Sequence, residues 1–163
     1  HIGLEIGSDV PFFIFNKPAI GRGRGEILEG ISGMKGVFIL LIIPNIRINT
    51  ANAYKNIDLV LTKVQSRYKI VLFLEGLGRM PYGRIHSHNS FEKSVCAGYP
   101  EVKKILNLLR KNGKALFSSL SGSGSVCFSV FAERREADKE LELMAGKGYS
   151  GLVVEPREKT FKL

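Results

Sequence analysis

Residues Ala115-Leu116-Phe117-Ser118-Ser119-Leu120-Ser121-Gly122-Ser123-Gly124-Ser125-Val126-Cys127-Phe128-Ser129-Val130-Phe131 set two apolar runs on either side of a serine–glycine turn. Each run has the length of a strand, and the two glycines permit the positive φ that a tight reversal demands. The stretch predicts two strands, Ala115 to Leu120 and Val126 to Phe131. Before it, Pro100-Glu101 opens a helix in which Val102, Ile105, Leu106, Leu108 and Leu109 form one broad apolar face, and Gly113 ends it. After it, Arg134 to Ala145 predicts a further helix and Tyr149 to Val154 a last strand. Strands interspersed with helices and joined by short turns predict an α+β fold, an antiparallel sheet covered by helices on one face.

Further toward the N-terminus, Asn89-Ser90-Phe91-Glu92 starts a short helix, and Val37 to Ile43 is an apolar strand that Pro44 ends. Thr50 is placed as a helix N-cap before Ala51-Asn52-Ala53-Tyr54. Ala19 to Glu26 carries alternating glycines, the sign of an extended segment running close to another backbone. Phe12-Phe13-Ile14-Phe15 reads as a buried strand closed by Asn16-Lys17-Pro18. Ile2 to Gly7 has the pattern of the end of a helix, with Gly7 at the C-terminal cap position, and this opening suggests truncation. The segment 57–87 has no clear period.

A hydrophobic content of 44% is that of a protein with a core and excludes a disordered tail. The net charge of +9 leaves open a nucleic-acid surface, a site for phosphorylated small molecules, or basic residues that only solvate the surface. Cys96 and Cys127 form no C-x-x-C pair and fit small buried residues in a reducing compartment. No secretory signal opens the sequence, and the run from Val37 to Ile43 is far too short to span a bilayer. These features predict a cytoplasmic protein without a membrane segment.

Three places could carry chemistry. Asp9, in Gly7-Ser8-Asp9-Val10-Pro11, is either a carboxylate held by a rigid junction as a proton acceptor or the acceptor of an Asx turn. Ser121-Gly122-Ser123-Gly124-Ser125 is either an anion nest of backbone N–H groups and hydroxyls or a plain hairpin turn. It is neither a Walker loop nor a dinucleotide fingerprint, because both spacings are absent. His86-Ser87-His88 lacks a third nitrogen or sulfur ligand nearby and reads as a loop, so no metal site is expected.

Five of these segments, in order, resemble one family. Gly7-Ser8-Asp9-Val10-Pro11-Phe12-Phe13 is close to the G-[SA]-D-V-P-x-F signature of the 4-diphosphocytidyl-methylerythritol kinases. The resemblance continues through Gly21-x-Gly23-x-Gly25-Glu26, Pro44 to Thr50 with Tyr54, and Asn89-x-Phe91-Glu92. It ends at Leu120 to Phe128, similar to the third motif of the galactokinase–homoserine kinase–mevalonate kinase superfamily. It covers residues 1 to about 132, poorly at 57–87.

The resemblance implies transfer of a phosphoryl group from ATP, with Mg2+, to the 2-hydroxyl of the methylerythritol part of a CDP-linked substrate. Asp9 falls on the family's catalytic aspartate, Tyr54 on a ring that stacks on cytosine, and Thr50 beside the same substrate. The turn Ser121, Gly122, Ser123, Gly124, Ser125 falls beside the active-site cleft. The family's ATP loop and catalytic lysine have no counterpart in the chain. Residues 1–36 are therefore expected to be the remnant of an ATP-binding domain and 37–163 the substrate-binding domain. The expected partner is the missing N-terminal half of the same enzyme, and the chain alone is expected to be inactive. The competing reading is a basic α+β module that holds RNA without catalysis. The sheet strands lack the aromatic pattern that RNA-binding sheets use, and the basic residues are scattered, so nucleic acid is not the expected partner.

Overall fold

The computed structural model describes residues 2–31, 33, 35–50, 53 and 89–157. They fall into two compact units, one of the described residues within 1–35 with 156–157 and the other of those within 36–155.

The second unit is built on the predicted helix. Pro100 sits in its first turn, where a missing N–H costs nothing, with Glu101 at the positive end and Arg110 and Lys111 at the negative end. The Val102, Ile105, Leu106 and Leu109 side chains recur at three- and four-residue steps and are fully buried. The described residues of this unit form seven strands and helices. In chain order they are β3 (Phe38–Ile42), α3 (Glu92–Gly98), α4 (Pro100–Lys111), β4 (Phe117–Leu120), β5 (Cys127–Phe131), α5 (Arg134–Ala145) and β6 (Gly151–Val154). The strands pair antiparallel in the order β4-β5-β3-β6.

Register decides which face is core. Leu40 lies opposite Ser129, Ile42 opposite Cys127, and Leu120 opposite Cys127, so these side chains share one face. That face packs with Val95 of α3, the apolar stripe of α4, and Ala137 and Met144 of α5 in one cluster. Burying a side chain of this size contributes roughly 1.5–3 kcal/mol, an upper figure for a chain whose unfolded state is partly compact. Two hydroxyls intrude on this apolar face. Ser118 and Ser129 are directly opposite and satisfy each other at 2.7 Å, which removes the penalty of an orphaned buried polar group. Arg110 ties α3 to α4 through a forked ion pair with Glu92, at 2.7 and 2.8 Å.

The first unit departs from the sequence expectation at residues 12–15. It holds α1 (Ile2–Ile6), α2 (Val10–Phe15) and a hairpin of β1 (Ala19–Arg22) and β2 (Ile27–Gly30). Residues 12–15 are helical, not a strand, and they are not buried: Phe13 is 58% and Ile14 69% exposed. Pro11 lies in the first turn, where its fixed φ suits a helix, and Asn16 closes α2 in the left-handed region at φ 54° with its N–H on the Phe12 carbonyl. A run of four apolar residues cannot distinguish strand from helix by period, and here the proline decided. Close backbone approach was expected along Ala19–Glu26 and occurs at Gly25 (φ 111°), where a Cβ would stand 2.5 Å from the Ser8 carbonyl oxygen.

Candidate active site

In the second unit the serine–glycine turn is held from three sides. Within the turn, Gly124 N–H donates to the Ser121 carbonyl (2.9 Å) and Ser121 N–H to the Val126 carbonyl (2.9 Å). Gly122 and Gly124 both have positive φ, and a Cβ on Gly124 would press on Ile48 and Leu120 at about 3 Å. The hairpin-turn requirement is thus present. On one side, Ser125 Oγ donates to the Ile46 carbonyl at 2.6 Å. On the same side, Thr50 Oγ1 meets Ser123 Oγ at 3.2 Å, although 73 positions separate them.

The third hold is Asn89. Its side-chain Nδ2 donates to the carbonyls of Leu120 (2.7 Å) and Gly122 (2.8 Å), while its Oδ1 accepts the Phe91 N–H (2.8 Å). The orientation of the amide is forced, because the reverse would face an oxygen with two carbonyls and an NH2 with an N–H. Sequence reasoning took Asn89 as the start of α3 and as part of the Asn89-x-Phe91-Glu92 segment of the resemblance, without a role in the turn. The local signal, Asn three residues before the first helical residue, announces the bond to Phe91 but not the two long-range bonds.

Thr50 is exposed and is itself the first helical residue. The Asn49 carbonyl accepts the Ala53 N–H at 3.0 Å, so the cap position falls on Asn49 and not on Thr50 as expected. This leaves the Thr50 hydroxyl for the turn. Tyr54 and the His86-Ser87-His88 segment lie outside the described residues.

Asp9 belongs to the first unit, at the N-cap of α2. The junction it occupies joins two helices, a correction to the helix-to-strand junction read from sequence. Its side chain makes no capping hydrogen bond, and the residue is exposed. The carboxylate is therefore not consumed in fixing α2. A groove of about 560 Å³ in the same unit is lined chiefly by Leu4, Pro11, Ile14, Phe15 and Ile27, with Glu26 at its edge. Asp9 is not part of its wall.

Burial pushes the Cys127 thiol up to about 12, and burial together with the Glu92 carboxylate raises that of Cys96. Both are protonated at neutral pH, which removes them as nucleophiles. Among the described residues no three His, Cys, Asp or Glu side chains converge as a metal site would require. Among them, too, no helix is long and apolar enough to cross a membrane.

Residues 73–149 match the family model of the GHMP kinases C terminal. The chain is 36% identical over 151 residues to the 4-diphosphocytidyl-2-C-methyl-D-erythritol kinase of Thermodesulfovibrio yellowstonii, covering 90% of this chain and 52% of that protein. It is 35% identical over 154 residues to the enzyme of the same name from Geobacter sulfurreducens, covering 94% of this chain and 53% of that protein. The chain thus spans about half the length of the curated relatives it matches. Among solved structures, a 4-(cytidine 5'-diphospho)-2C-methyl-D-erythritol kinase shares the fold at a TM-score of 0.71 and 23% identity, over 94% of this chain and 56% of that one. A homoserine kinase from Cytophaga hutchinsonii shares it at 0.64 and 16%, over 92% and 51%. The α+β fold with its antiparallel sheet and helices is the one expected from the sequence.

Proposed function

We propose that this chain, whose residues 73–149 match the GHMP kinases C terminal, is the substrate-holding part of a kinase that phosphorylates an alcohol. The substrate is 4-diphosphocytidyl-2-C-methyl-D-erythritol, the acceptor its 2-hydroxyl, and the setting non-mevalonate isoprenoid biosynthesis in the cytoplasm. The observation that carries this reading is the contact of Thr50 with Ser123. One residue is assigned by resemblance to the substrate and the other to the cleft wall, and distant chain segments bring them together.

In this reading ATP supplies the phosphoryl group, and the chain's own residues hold and orient the acceptor. Tyr54 stacks on the cytosine, a use of a flat ring that leaves the base edge to be read. Thr50 and the Ser121–Ser125 turn present hydroxyls and N–H groups to the substrate. Asp9 accepts or orients the hydroxyl proton, and its carboxylate, spent on no helix cap, suits that task. Mg2+ would arrive bound to the phosphates of ATP, where it would neutralise their charge. The ATP loop and the lysine come from the other half of the enzyme, which is the partner. The relatives named above are kinases, and the alternative of an RNA-holding module draws no support from them.

Calorimetric titration with cytidine diphosphate tests the reading. The chain binds it saturably, Tyr54→Ala weakens binding by roughly 1–3 kcal/mol, and Tyr54→Phe leaves it nearly unchanged. Given ATP, magnesium and the full substrate, the chain alone gives no product above background. Absence of saturable binding by the wild-type chain would remove the substrate assignment, and turnover by the chain alone would remove the need for a second half.

A further inference from the structure

We infer that Asn89 is a positioning residue of the candidate site, acting on the substrate through the Ser121–Ser125 turn. The inference rests on the proposed function for its consequence in binding, and on geometry alone for the clamp itself.

The turn has few bonds of its own. The N–H of Gly124 and the N–H of Ser121 are satisfied within it, and nothing in that pair fixes where Ser123 points. What fixes the strand end is the Leu120 carbonyl, and what fixes the reversal is the Gly122 carbonyl. Asn89 binds both with one NH2 group. The position of Ser123 against Thr50 follows from holding the carbonyls on either side of Ser121 to a single rigid amide plane. Asn89 is in turn anchored, because its Oδ1 takes the Phe91 N–H and its carbonyl takes the Glu92 N–H at the entry to α3. The forked Arg110–Glu92 pair then fastens that entry to α4. Asn89 thus links the packed core to the turn, beside the bond from Ser125 Oγ to the Ile46 carbonyl.

The chemistry of the residue is specific. Both amide hydrogens and the oxygen are engaged, so no other side chain of this length can replace it. Aspartate keeps the acceptor for Phe91 but puts charge against two carbonyls. Alanine removes all three bonds. Glutamine has the right groups one methylene too far. Comparing aspartate with alanine separates the clamp on the turn from the start of α3.

The test is amide hydrogen exchange by NMR on the isotope-labelled 163-residue chain, with cytidine diphosphate affinity measured on the same samples. In Asn89→Asp the Ser121 and Gly124 amides exchange about tenfold faster, while the Phe91 amide keeps its wild-type protection. In Asn89→Ala all three are faster. Cytidine diphosphate affinity falls about three- to tenfold in Asn89→Asp, measured at a temperature at which the variant is fully folded. Should the aspartate variant fail to fold, the wild-type side-chain NH2 of Asn89 decides, since both its hydrogens are bonded and exchange slowly. Unchanged Ser121 and Gly124 exchange in a folded Asn89→Asp, or a fast-exchanging Asn89 NH2 in wild type, overturns the inference. Faster turn exchange with unchanged affinity overturns the link to substrate. If wild type binds no cytidine diphosphate, the substrate assignment fails, and the exchange data still decide the clamp.

Discussion

The hydroxyls of Thr50 and Ser123 stand 3.2 Å apart across the rim of the second unit, one on the first helical residue after β3 and the other at the tip of the β4–β5 turn. Both are exposed or half-exposed, so the bond itself adds little to stability, and its value lies in placing two hydroxyls side by side. Thr50→Val removes one hydroxyl at nearly constant volume. It should leave the melting temperature within a degree or two and weaken cytidine diphosphate binding about three- to tenfold. Ser123→Ala should do the same, and the double variant should lose less than the two single losses combined. Additive losses would mean that the two hydroxyls act independently, and wild-type affinity in both would take the pair out of the site.

Asp9 offers a cleaner separation of stability from chemistry. Its side chain caps nothing, so Asp9→Asn should not change the melting temperature. In an enzyme assembled with its ATP-binding half, the same change should lower kcat by about 10²–10⁴-fold with little effect on KM. A variant within a factor of about two of wild type would assign Asp9 no part in proton transfer.

The buried thiol of Cys127 makes stability depend on pH at the alkaline end. Its ordinary value of 9.0 is pushed up to about 12 by burial, while the unfolded chain keeps the ordinary value. Below pH 9 both states hold the proton and the group is neutral to stability. From 9 toward 12 the unfolded chain has lost the proton and the folded chain has not, so stability falls as pH rises, by about 1.4 kcal/mol per pH unit. Cys127→Ala removes this contribution and should flatten the slope relative to wild type over that window. Denaturant titrations at pH 8, 9.5 and 10.5 would check it, and parallel slopes for the two proteins would show that the thiol ionises freely in the fold.

Sequence by itself determined most of the described elements of the second unit and, in the first, the helix ending at Ile6 and the extended segment from Ala19. The Pro100 start, the three- and four-residue recurrence of Val102, Ile105, Leu106 and Leu109, and the glycines between two apolar runs are local signals. Each follows from backbone sterics and the period of an element, which a linear string carries in full. The order of motifs through Asp9, Thr50 and the Ser121–Ser125 turn likewise needed no coordinates. Phe12 to Phe15 was misread because a four-residue apolar run fits either period, and because its residues face outward in this chain and not into a core of their own unit. Tertiary structure alone decided that Asn89 clamps the turn, that Asn49 and not Thr50 takes the cap position, and that Thr50 meets Ser123. The clamp and the Thr50–Ser123 contact join groups distant in the chain, the latter set when the antiparallel pairing of β3 and β5 brings the end of one strand to the turn of another. No local preference of asparagine or threonine encodes such a meeting, because its partner is chosen by the packing of the whole sheet.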